Sequence, residues 1–354
     1  MNLYARYVGW VYFKSFLVVF LSLLLFYVGI DLLSNLKDIP SSANTQILYF
    51  LFTCVSAVSY VLPISLVFAL IVAKINMVRS NELVSFYALG VSKNALIRPP
   101  FFIALLITIF YVGLNFTPFA YAYDYQKSLI KDRDFNKITN DTLVKFDGKF
   151  VYIKELNPLE NKILSVDIFD INETTLKSVT SIDMAKFKDN QWYANETNTT
   201  YLPDKLELGK AGLTLESGKN EVALSGFKPK SIQSANVADK SSLSVVDVLD
   251  FIFTFKDEGI ELNSARSMFY SLTIYPFFAP LLVLVLYYYL PVTGRFFNLA
   301  FVSFILVLVT LVLWGVLFVL IKFSQSATIL PEIGILLPIF ALFCYSIYLT
   351  KAHH

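Results

Sequence analysis

The stretch FFNLAFVSFILVLVTLVLWGVLFVLI, residues Phe296–Ile321, is the clearest sign of a membrane-spanning helix because it contains no charged side chain. A helix needs about 20 mostly apolar residues to cross the hydrocarbon core of a membrane. Five further stretches are also uncharged and reach this length once their flanks are included: Ser15–Ile30, Ile39–Ala73, Pro99–Tyr123, Ser267–Gly294 and Ile333–Thr350. The sequence therefore predicts a polytopic α-helical membrane protein with six transmembrane helices.

The composition excludes several kinds of chemistry. Hydrophobic residues make up 56% of the 354 residues and charged residues 16%, against about 25% charged in a typical soluble domain. The two histidines are the last two residues, His353 and His354, so we expect no histidine-based triad, proton shuttle or metal site. Cys54 and Cys344 lie in separate apolar stretches, which argues against a disulfide scaffold or a cysteine metal site. We also expect no nucleic-acid partner.

The charged residues are concentrated between the third and fourth apolar stretches. Residues 120–266 hold 19 Lys+Arg and 23 Asp+Glu, a net charge of −4, while the rest of the chain carries +6. This contrast predicts three spans, a soluble insert and three further spans. The expected domains are 1–123 with transmembrane helices 1–3, 124–242 as the extracytoplasmic insert, and 243–354 with a connecting helix and transmembrane helices 4–6.

The basic residues predict the orientation of the chain. Lys and Arg in short loops are enriched on the cytoplasmic side of a membrane. If the N-terminus is inside, the short outer loops contain only Lys37 and Lys322. The inner segments then contain eight basic residues: Arg6, Lys14, Lys74, Arg79, Lys93, Arg98, Arg295 and Lys351. This bias predicts that both termini are cytoplasmic and that the insert is extracytoplasmic.

The insert has the residue pattern of antiparallel β-structure. Strands are predicted at 149–154, 163–170, 182–187, 191–194, 206–208 and 213–216. Lys188-Asp189-Asn190 is a hairpin turn signal between two of them. Short strands at this spacing indicate a sandwich or a jelly roll, although a β-domain without any ligand gives the same pattern. After Ser241, apolar residues at helical spacing predict a short helix that leads back to the membrane.

The segment between the second and third spans, residues 76–93, is the most informative cytoplasmic part of the chain. Ser80 or Asn81 can begin a short helix there and Gly90 can end it. The helix has an apolar side formed by Leu83, Phe86, Tyr87 and Leu89. Such a helix either lies on the membrane surface or inserts into a groove of a cytosolic partner, and amphipathicity is common to both.

Two parts of this segment, Arg79-Ser80-Asn81-Glu82-Leu83 and Ala88-Leu89-Gly90-Val91-Ser92, resemble the coupling helix of the lipopolysaccharide export permeases of the LptF/LptG (YjgP/YjgQ) family. The chain length, the 3+3 arrangement of spans around a β-domain and the opening Arg6-Tyr7 are similar to that family as well. Phe150-Val151-Tyr152-Ile153 resembles a strand of LptG, whereas Leu89–Lys93 and Thr293-Gly294-Arg295 are closer to LptF. The balance favours LptG.

The resemblance implies a fold and a set of partners. It implies a periplasmic β-jellyroll and a non-catalytic permease subunit in the bacterial inner membrane. In the family, LptF and LptG pair as a heterodimer, an LptB ATPase dimer docks beneath them, and LptC adds one helix. Lipopolysaccharide is extracted from the inner membrane and passed through stacked jellyrolls to LptA. The chain has no Gly-x-x-x-x-Gly-Lys-Ser/Thr motif, so we expect ATP and magnesium in the partner ATPase and no cofactor in this chain.

The resemblance also implies a site that couples the chain to the ATPase. Its residues would be Arg79, Glu82, Leu83, Phe86, Leu89 and Gly90. Glu82 would face a basic residue of the ATPase, and Leu83, Phe86 and Leu89 would be apolar anchors. The alternative for Glu82 is an ordinary solvated charge on a helix.

A second implied site binds lipopolysaccharide. The family places basic residues near the outer end of the first span, where charged hydrogen bonds to lipid A phosphates are strong. Lys37 is the candidate here, and Asp31 stands near a position where a basic residue is expected, which weakens the site or moves it to the partner permease. An apolar cavity wall would contain Phe26, Ile30, Leu33, Trp314 and Phe318. Such stripes also arise from ordinary helix packing.

Three other classes of protein are weighed against this interpretation. A lipoprotein-releasing permease also has an extracytoplasmic domain, but it places the domain after the first of four spans. An intramembrane enzyme needs polar clusters within its spans, which these apolar stretches lack. A membrane adaptor without transport activity remains an alternative, and co-purification of a cytosolic ATPase separates it from a permease.

Overall fold

The computed structural model describes residues 3–130, 139–157, 160–172, 175–189, 191–203, 212–228, 243–256, 262–295 and 298–353. The chain divides into two compact units. One unit comprises Met1–Asp132 and Arg266–His354, and the other is Arg133–Ala265. The first is helical and the second is a β-domain inserted into it.

Long helices joined by short loops form the first unit. Those before the insert are α1 (Leu3–Ser34), α2 (Ala43–Arg79), α3 (Glu82–Ala88), α4 (Lys93–Leu114) and α5 (Ala122–Ser128). After the insert and its helix α6 (Val245–Phe255) come α7 (Asn263–Thr273), α8 (Phe278–Tyr289), α9 (Leu299–Gln325) and α10 (Leu337–Ala352). Short 3-10 turns at Pro118–Tyr121 and Tyr275–Phe277 precede α5 and α8, and a π-helical turn at Glu332–Leu336 precedes α10.

Among the described residues, six helical segments are long and apolar enough to cross a membrane. They are Leu3–Ser34, Ala43–Arg79, Lys93–Leu114, Asn263–Tyr289, Leu299–Gln325 and Glu332–Ala352. Helices suit such segments because each backbone polar group finds its partner within the same helix. The fourth segment is interrupted where Pro276 removes a backbone donor. The predicted 3+3 arrangement is confirmed.

Helix α2 lies at the centre of the helical unit. Its side chains Leu66 and Leu70 are buried against a cluster that also contains residues of α1, α4 and α8. The Tyr12 hydroxyl of α1 donates to the Leu66 carbonyl at 2.9 Å, which satisfies a polar group inside an apolar core. By contrast, α1 is largely exposed in the single chain. Much of its apolar surface is therefore left for lipid or for another protein.

The described strands of the insert are β1 (Thr139–Phe146), β2 (Lys149–Asn157), β3 (Lys162–Asn172), β4 (Thr175–Lys188), β5 (Gln191–Tyr201) and β6 (Thr214–Ala223). Each strand pairs antiparallel with its neighbour in sequence, so the described sheet is a meander. The predicted β4–β5 hairpin is confirmed, because Lys188 pairs with Gln191 and Asp189 adopts a positive φ of 52° in the turn. Strand β1 was not predicted, and the predicted strand 206–208 lies outside the described residues.

Alternate residues of the sheet build the core of the β-domain. Val151, Ile153 and Trp192 are fully buried. Helix α6 adds Phe255, whose ring meets that of Phe227 edge-on at 5.9 Å. A capping box between Ser244 and Asp247 starts this helix, which confirms the helix predicted after Ser241.

The boundaries between the units differ from the predicted 123/124 and 242/243. Helix α5 belongs to the helical unit because it packs on α2 and its Gln126 side chain is hydrogen-bonded there. Helix α6 belongs to the β-domain because its aromatic side chains pack on that domain's core. Both helices are short and lack the charge contrast that marks the spans, so composition alone does not assign them to a unit.

Candidate functional site

The short helix α3 connects α2 to α4 and holds most of the predicted coupling residues. It begins after Asn81, which adopts a left-handed conformation with φ 59°, as Asn tolerates better than most residues. The Asn81 side chain makes no capping hydrogen bond, and the Ser80 hydroxyl bonds back to the Asn76 carbonyl at 3.0 Å. The helix therefore starts where predicted, but a tight turn rather than a side-chain cap starts it.

Gly90 ends α3 as predicted. Its φ of +79° suits glycine, because a Cβ disfavours the left-handed region. The Gly90 N–H donates to the Tyr87 carbonyl and the Val91 N–H to the Phe86 carbonyl, both at 3.0 Å. These two bonds are the Schellman motif. They fix the direction in which the chain leaves α3 for α4.

The faces of α3 differ in exposure, and this corrects one predicted role. Leu83 is only 1% exposed and belongs to the core of its own helical unit, so it is not an anchor on the surface of α3. Phe86 is half-buried, with its ring 6.2 Å from that of Tyr7. Leu89 is 79% exposed, and Val84 joins it on the surface. Of the predicted apolar residues, Leu83 is therefore buried inside the helical unit, whereas Leu89 is exposed on its surface.

The charged residues of the segment also separate. Arg79 is exposed at the end of α2. Glu82 is half-buried and lies near Tyr7 at the start of α1. It lines a groove of about 1570 Å³ between α1, α3 and α4, together with Arg6 and Arg98. The Glu82 side chain therefore faces α1 in the single chain.

The predicted lipopolysaccharide residues of α1 form one exposed stripe. Phe26, Ile30 and Leu33 are 67%, 50% and 77% exposed and follow one another at helical spacing. Lys37 is exposed in the turn that follows the end of α1 at Ser34. An apolar stripe that ends in a cation can contact the acyl chains of an amphipathic lipid along the stripe and its phosphate groups at the cation.

The predicted residues of the fifth span are less accessible. Trp314 and Phe318 of α9 are half-buried, with their rings stacked at 5.7 Å. The main packing partners of α1 are α2 and α4, whereas α9 packs on α2 and on the turn before α10. The structure therefore does not bring the two stripes together into one wall within this chain.

Asp31 has hydrogen-bond partners that the sequence did not reveal. Its carboxylate accepts from the Tyr49 hydroxyl at 2.6 Å and from the Gln126 amide at 3.0 Å. The other end of the Gln126 amide accepts from the Ser56 hydroxyl at 2.8 Å. This network joins α1, α2 and α5, and it explains how an acid is accommodated at the end of an apolar helix. No local spacing signals it, because Asp31 and Gln126 are far apart in sequence.

The family comparison decides the assignment. The sequence model described as lipopolysaccharide export system permease LptF/LptG matches residues 6–352. The chain belongs to the LptF/LptG family. A comparison with curated protein sequences gave no match. The LptF/LptG match does not separate the two members, so the preference for LptG stays a prediction.

Membership in the LptF/LptG family implies the general role and location of the protein. It is a component of a lipopolysaccharide export permease and a multi-pass protein of the inner membrane. Permease subunits of the LptF/LptG family are generally non-catalytic. The six apolar helices and the inserted antiparallel sheet agree with that role.

Proposed function

We propose that this chain is one transmembrane half of an ABC transporter that extracts lipopolysaccharide from the inner membrane and passes it to a periplasmic bridge of β-jellyrolls. The LptF/LptG match over residues 6–352 carries the proposal. The separate helical and β units support it, since one suits a membrane and the other can receive lipid outside it. A lipoprotein-releasing permease and a membrane adaptor are the alternatives that the experiments below distinguish.

The proposal includes a division of labour among several chains. The second permease, LptF or LptG, completes the lipid cavity as a heterodimer with this chain. An LptB dimer binds ATP and magnesium, LptC adds a helix, and LptA receives the lipid from the periplasmic domain. This chain supplies no cofactor of its own. The orientation has both termini in the cytoplasm, as the basic residues predict.

The coupling site on α3 follows from the exposure of its residues. Leu89 and Val84 are exposed apolar side chains, and Arg79 is an exposed cation at the end of α2, just before α3. A helix with a few apolar anchors suits a groove on a partner. Leu83, Phe86 and the Schellman turn at Gly90 hold this surface in place from within. Glu82 lines the groove beside α1 and, when the complex forms, faces a basic residue of the ATPase.

Capture of the ATPase tests the coupling site. The full complex is purified through a tag on this chain and reconstituted in lipid, and bound ATPase, ATP hydrolysis and lipopolysaccharide release are measured for Leu89→Asp and Glu82→Arg. We expect Leu89→Asp to reduce capture about tenfold or more, since burying an unpaired charge costs several kcal/mol. Glu82→Arg should uncouple hydrolysis from transport while the fold is retained.

Leu215→Asp is the matched control, because Leu215 is 72% exposed but lies in the β-domain. It should leave ATPase capture unchanged. Normal capture and coupling in both α3 variants would contradict the coupling site. Absence of any ATPase from the purified wild-type complex would favour the adaptor.

Crosslinking tests the lipid site. A photoreactive residue at Lys37 or Leu33 should form an adduct with lipopolysaccharide during ATP turnover, because both side chains are exposed at the outer end of α1. The same residue at Phe116, which is exposed just after α4, is the control and should form far less adduct. Equal labelling at all three positions, or adducts with lipoproteins instead, would remove the proposed site.

A further inference from the structure

Lys74 is a buried lysine that the proposed coupling and lipid sites do not use. It lies in α2 and is only 4% exposed. Lysines are rarely so buried unless they are paired, yet no carboxylate forms a salt bridge with Lys74 in the part of the chain that the structure describes. Its ammonium group donates to the carbonyl oxygens of Tyr287 and Leu290 instead, the latter at 2.9 Å. The Lys74 ammonium also lies 3.8 Å from the centre of the Tyr287 ring.

The chemistry at the end of α8 explains why a hydrogen-bond donor is needed there. The Tyr287 carbonyl would normally accept from the N–H of the residue four positions later, but that residue is Pro291, which has no N–H. The carbonyl end of a helix also carries partial negative charge. Lys74 therefore closes the end of α8 from a different helix, across 213 positions of sequence.

The same end of α8 touches the coupling helix. The Tyr87 hydroxyl of α3 is 3.4 Å from the Tyr287 hydroxyl. Either hydroxyl can donate in this contact, and burial raises the pKa of the Tyr87 hydroxyl. Next to it, the Tyr288 hydroxyl donates to the Asn94 side chain at 2.5 Å, and Asn94 donates to the Thr350 carbonyl at 2.9 Å. The end of α8 is thus hydrogen-bonded to α2, α3 and α4, and it is linked through Asn94 to α10.

We propose that Lys74 and Tyr287 are positioning residues that transmit movement of the coupling helix to α8, and so link the first three spans to the last three during transport. The inference rests on the proposed coupling function of α3. The geometry favours transmission because Tyr287 contacts α3 through its hydroxyl and α2 through its carbonyl and ring. A displacement of α3 reaches this side chain directly.

The test uses the full complex reconstituted in lipid with its partner permease and ATPase. ATP hydrolysis and lipopolysaccharide release are measured separately for Lys74→Met, Tyr87→Phe and Tyr287→Phe. We expect Lys74→Met to keep hydrolysis within about twofold while release per ATP falls about fivefold or more, the lower end of usual coupling effects. The two Tyr→Phe variants remove only a hydroxyl and should lower release per ATP by a smaller factor.

Lys14→Met is the matched control. It removes the same charge from an exposed position on α1, where the lysine lies over Trp10 and makes no bond to α8. It should leave the ratio of release to hydrolysis unchanged. Lys74→Arg retains a donor and should restore part of the ratio that Lys74→Met loses. If Lys74→Met does not assemble, Lys74→Arg and the Tyr→Phe variants decide the question.

A second readout separates transmission from a purely structural clamp. Spin labels are placed on Ser85→Cys in α3 or Arg295→Cys after α8, both exposed positions outside the proposed coupling residues, with Cys54 and Cys344 replaced by serine. Magnesium ATP with vanadate should shift both labels when Lys74 is present. With Lys74→Met, the α3 label should still shift and the label after α8 should not.

The outcomes distinguish this inference from the proposed function. Unchanged release per ATP in the Lys74 and Tyr87 variants, or both labels shifting together without Lys74, overturns the transmission role. If Leu89→Asp reduces ATPase capture while Lys74→Met leaves release per ATP unchanged, the coupling site stands and only the transmission role is lost. If Leu89→Asp has no effect, the proposed coupling function itself is wrong.

Discussion

At the scale of single residues, Leu83 and Leu89 have the same side chain but differ in burial. Leu83 and Leu89 are both leucines on one short helix and both were predicted as anchors. One is 1% exposed and the other 79% exposed. The first supports the helix from inside the bundle and the second is free to contact another molecule.

This difference gives a prediction for a matched pair of substitutions. Leu83→Ala should destabilise the protein by about 2–5 kcal/mol, because it leaves a cavity in the core. Leu89→Ala removes the same atoms from an exposed site and should change stability by less than about 0.5 kcal/mol. Thermal unfolding of the purified variants in detergent measures both. Equal losses of stability for the two variants would contradict the assigned faces.

Asp31 shows the same principle for a polar side chain. As a sequence feature it is an acid in the place of an expected cation. In the structure it accepts hydrogen bonds from Tyr49 and Gln126, so its charge is compensated within the chain. Tyr49 and Gln126 are themselves buried. Asp31 is therefore explained as a link between α1, α2 and α5.

At the scale of elements, α3, the proposed coupling helix, depends on the turn that ends it. Seven residues are too few for a helix to be stable by propensity alone. Its inner face and the Schellman motif at Gly90 compensate for this. The direction in which the chain enters α4 is fixed by the same two backbone hydrogen bonds.

Replacing Gly90 tests the importance of this turn. Gly90→Ala should destabilise the protein by about 1–2 kcal/mol, since alanine pays a steric cost at φ +79°. Gly113 is the control, because it lies inside α4 and a Cβ there meets no atom within 4 Å. Gly113→Ala should be neutral or stabilising by up to about 1 kcal/mol. Chemical unfolding followed by circular dichroism distinguishes the two signs.

At the scale of the whole molecule, hydropathy and charge divide the chain into a membrane bundle and a soluble insert. The bundle is joined by contacts between residues far apart in sequence, of which the Lys74 bonds to the end of α8 are an example. The insert has its own core around Trp192 and Phe227. Each unit thus has a hydrophobic core of its own.

Labelling of single cysteines tests the predicted orientation of the molecule. With Cys54 and Cys344 replaced by serine, a membrane-impermeant thiol reagent added to intact spheroplasts should label Leu143→Cys in the β-domain, since Leu143 is 64% exposed. It should not label Leu89→Cys until the membrane is broken, because the coupling helix is predicted inside. The reverse pattern would invert the assigned topology.

The number of spans, the 3+3 arrangement, the inserted β-domain and the end of α3 at Gly90 could all be predicted from the amino-acid sequence. These features rest on local signals: length and hydropathy for a membrane helix, alternation for a strand, and a glycine where φ is positive. Strand β1 escaped prediction because its sequence, Thr139–Phe146, is mostly polar and lacks a clean alternation.

Three features required knowledge of how the chain packs: which side of α3 is exposed, how the Asp31 carboxylate is hydrogen-bonded, and why Lys74 is buried. Each answer depends on partners between 18 and 216 positions away, such as Tyr49 for Asp31 and Leu290 for Lys74. A local pattern carries no record of such partners, because burial and hydrogen bonding are set by how the helices pack. The physical reason is that hydropathy places a helix in the membrane, while packing selects which of its faces remain available for function.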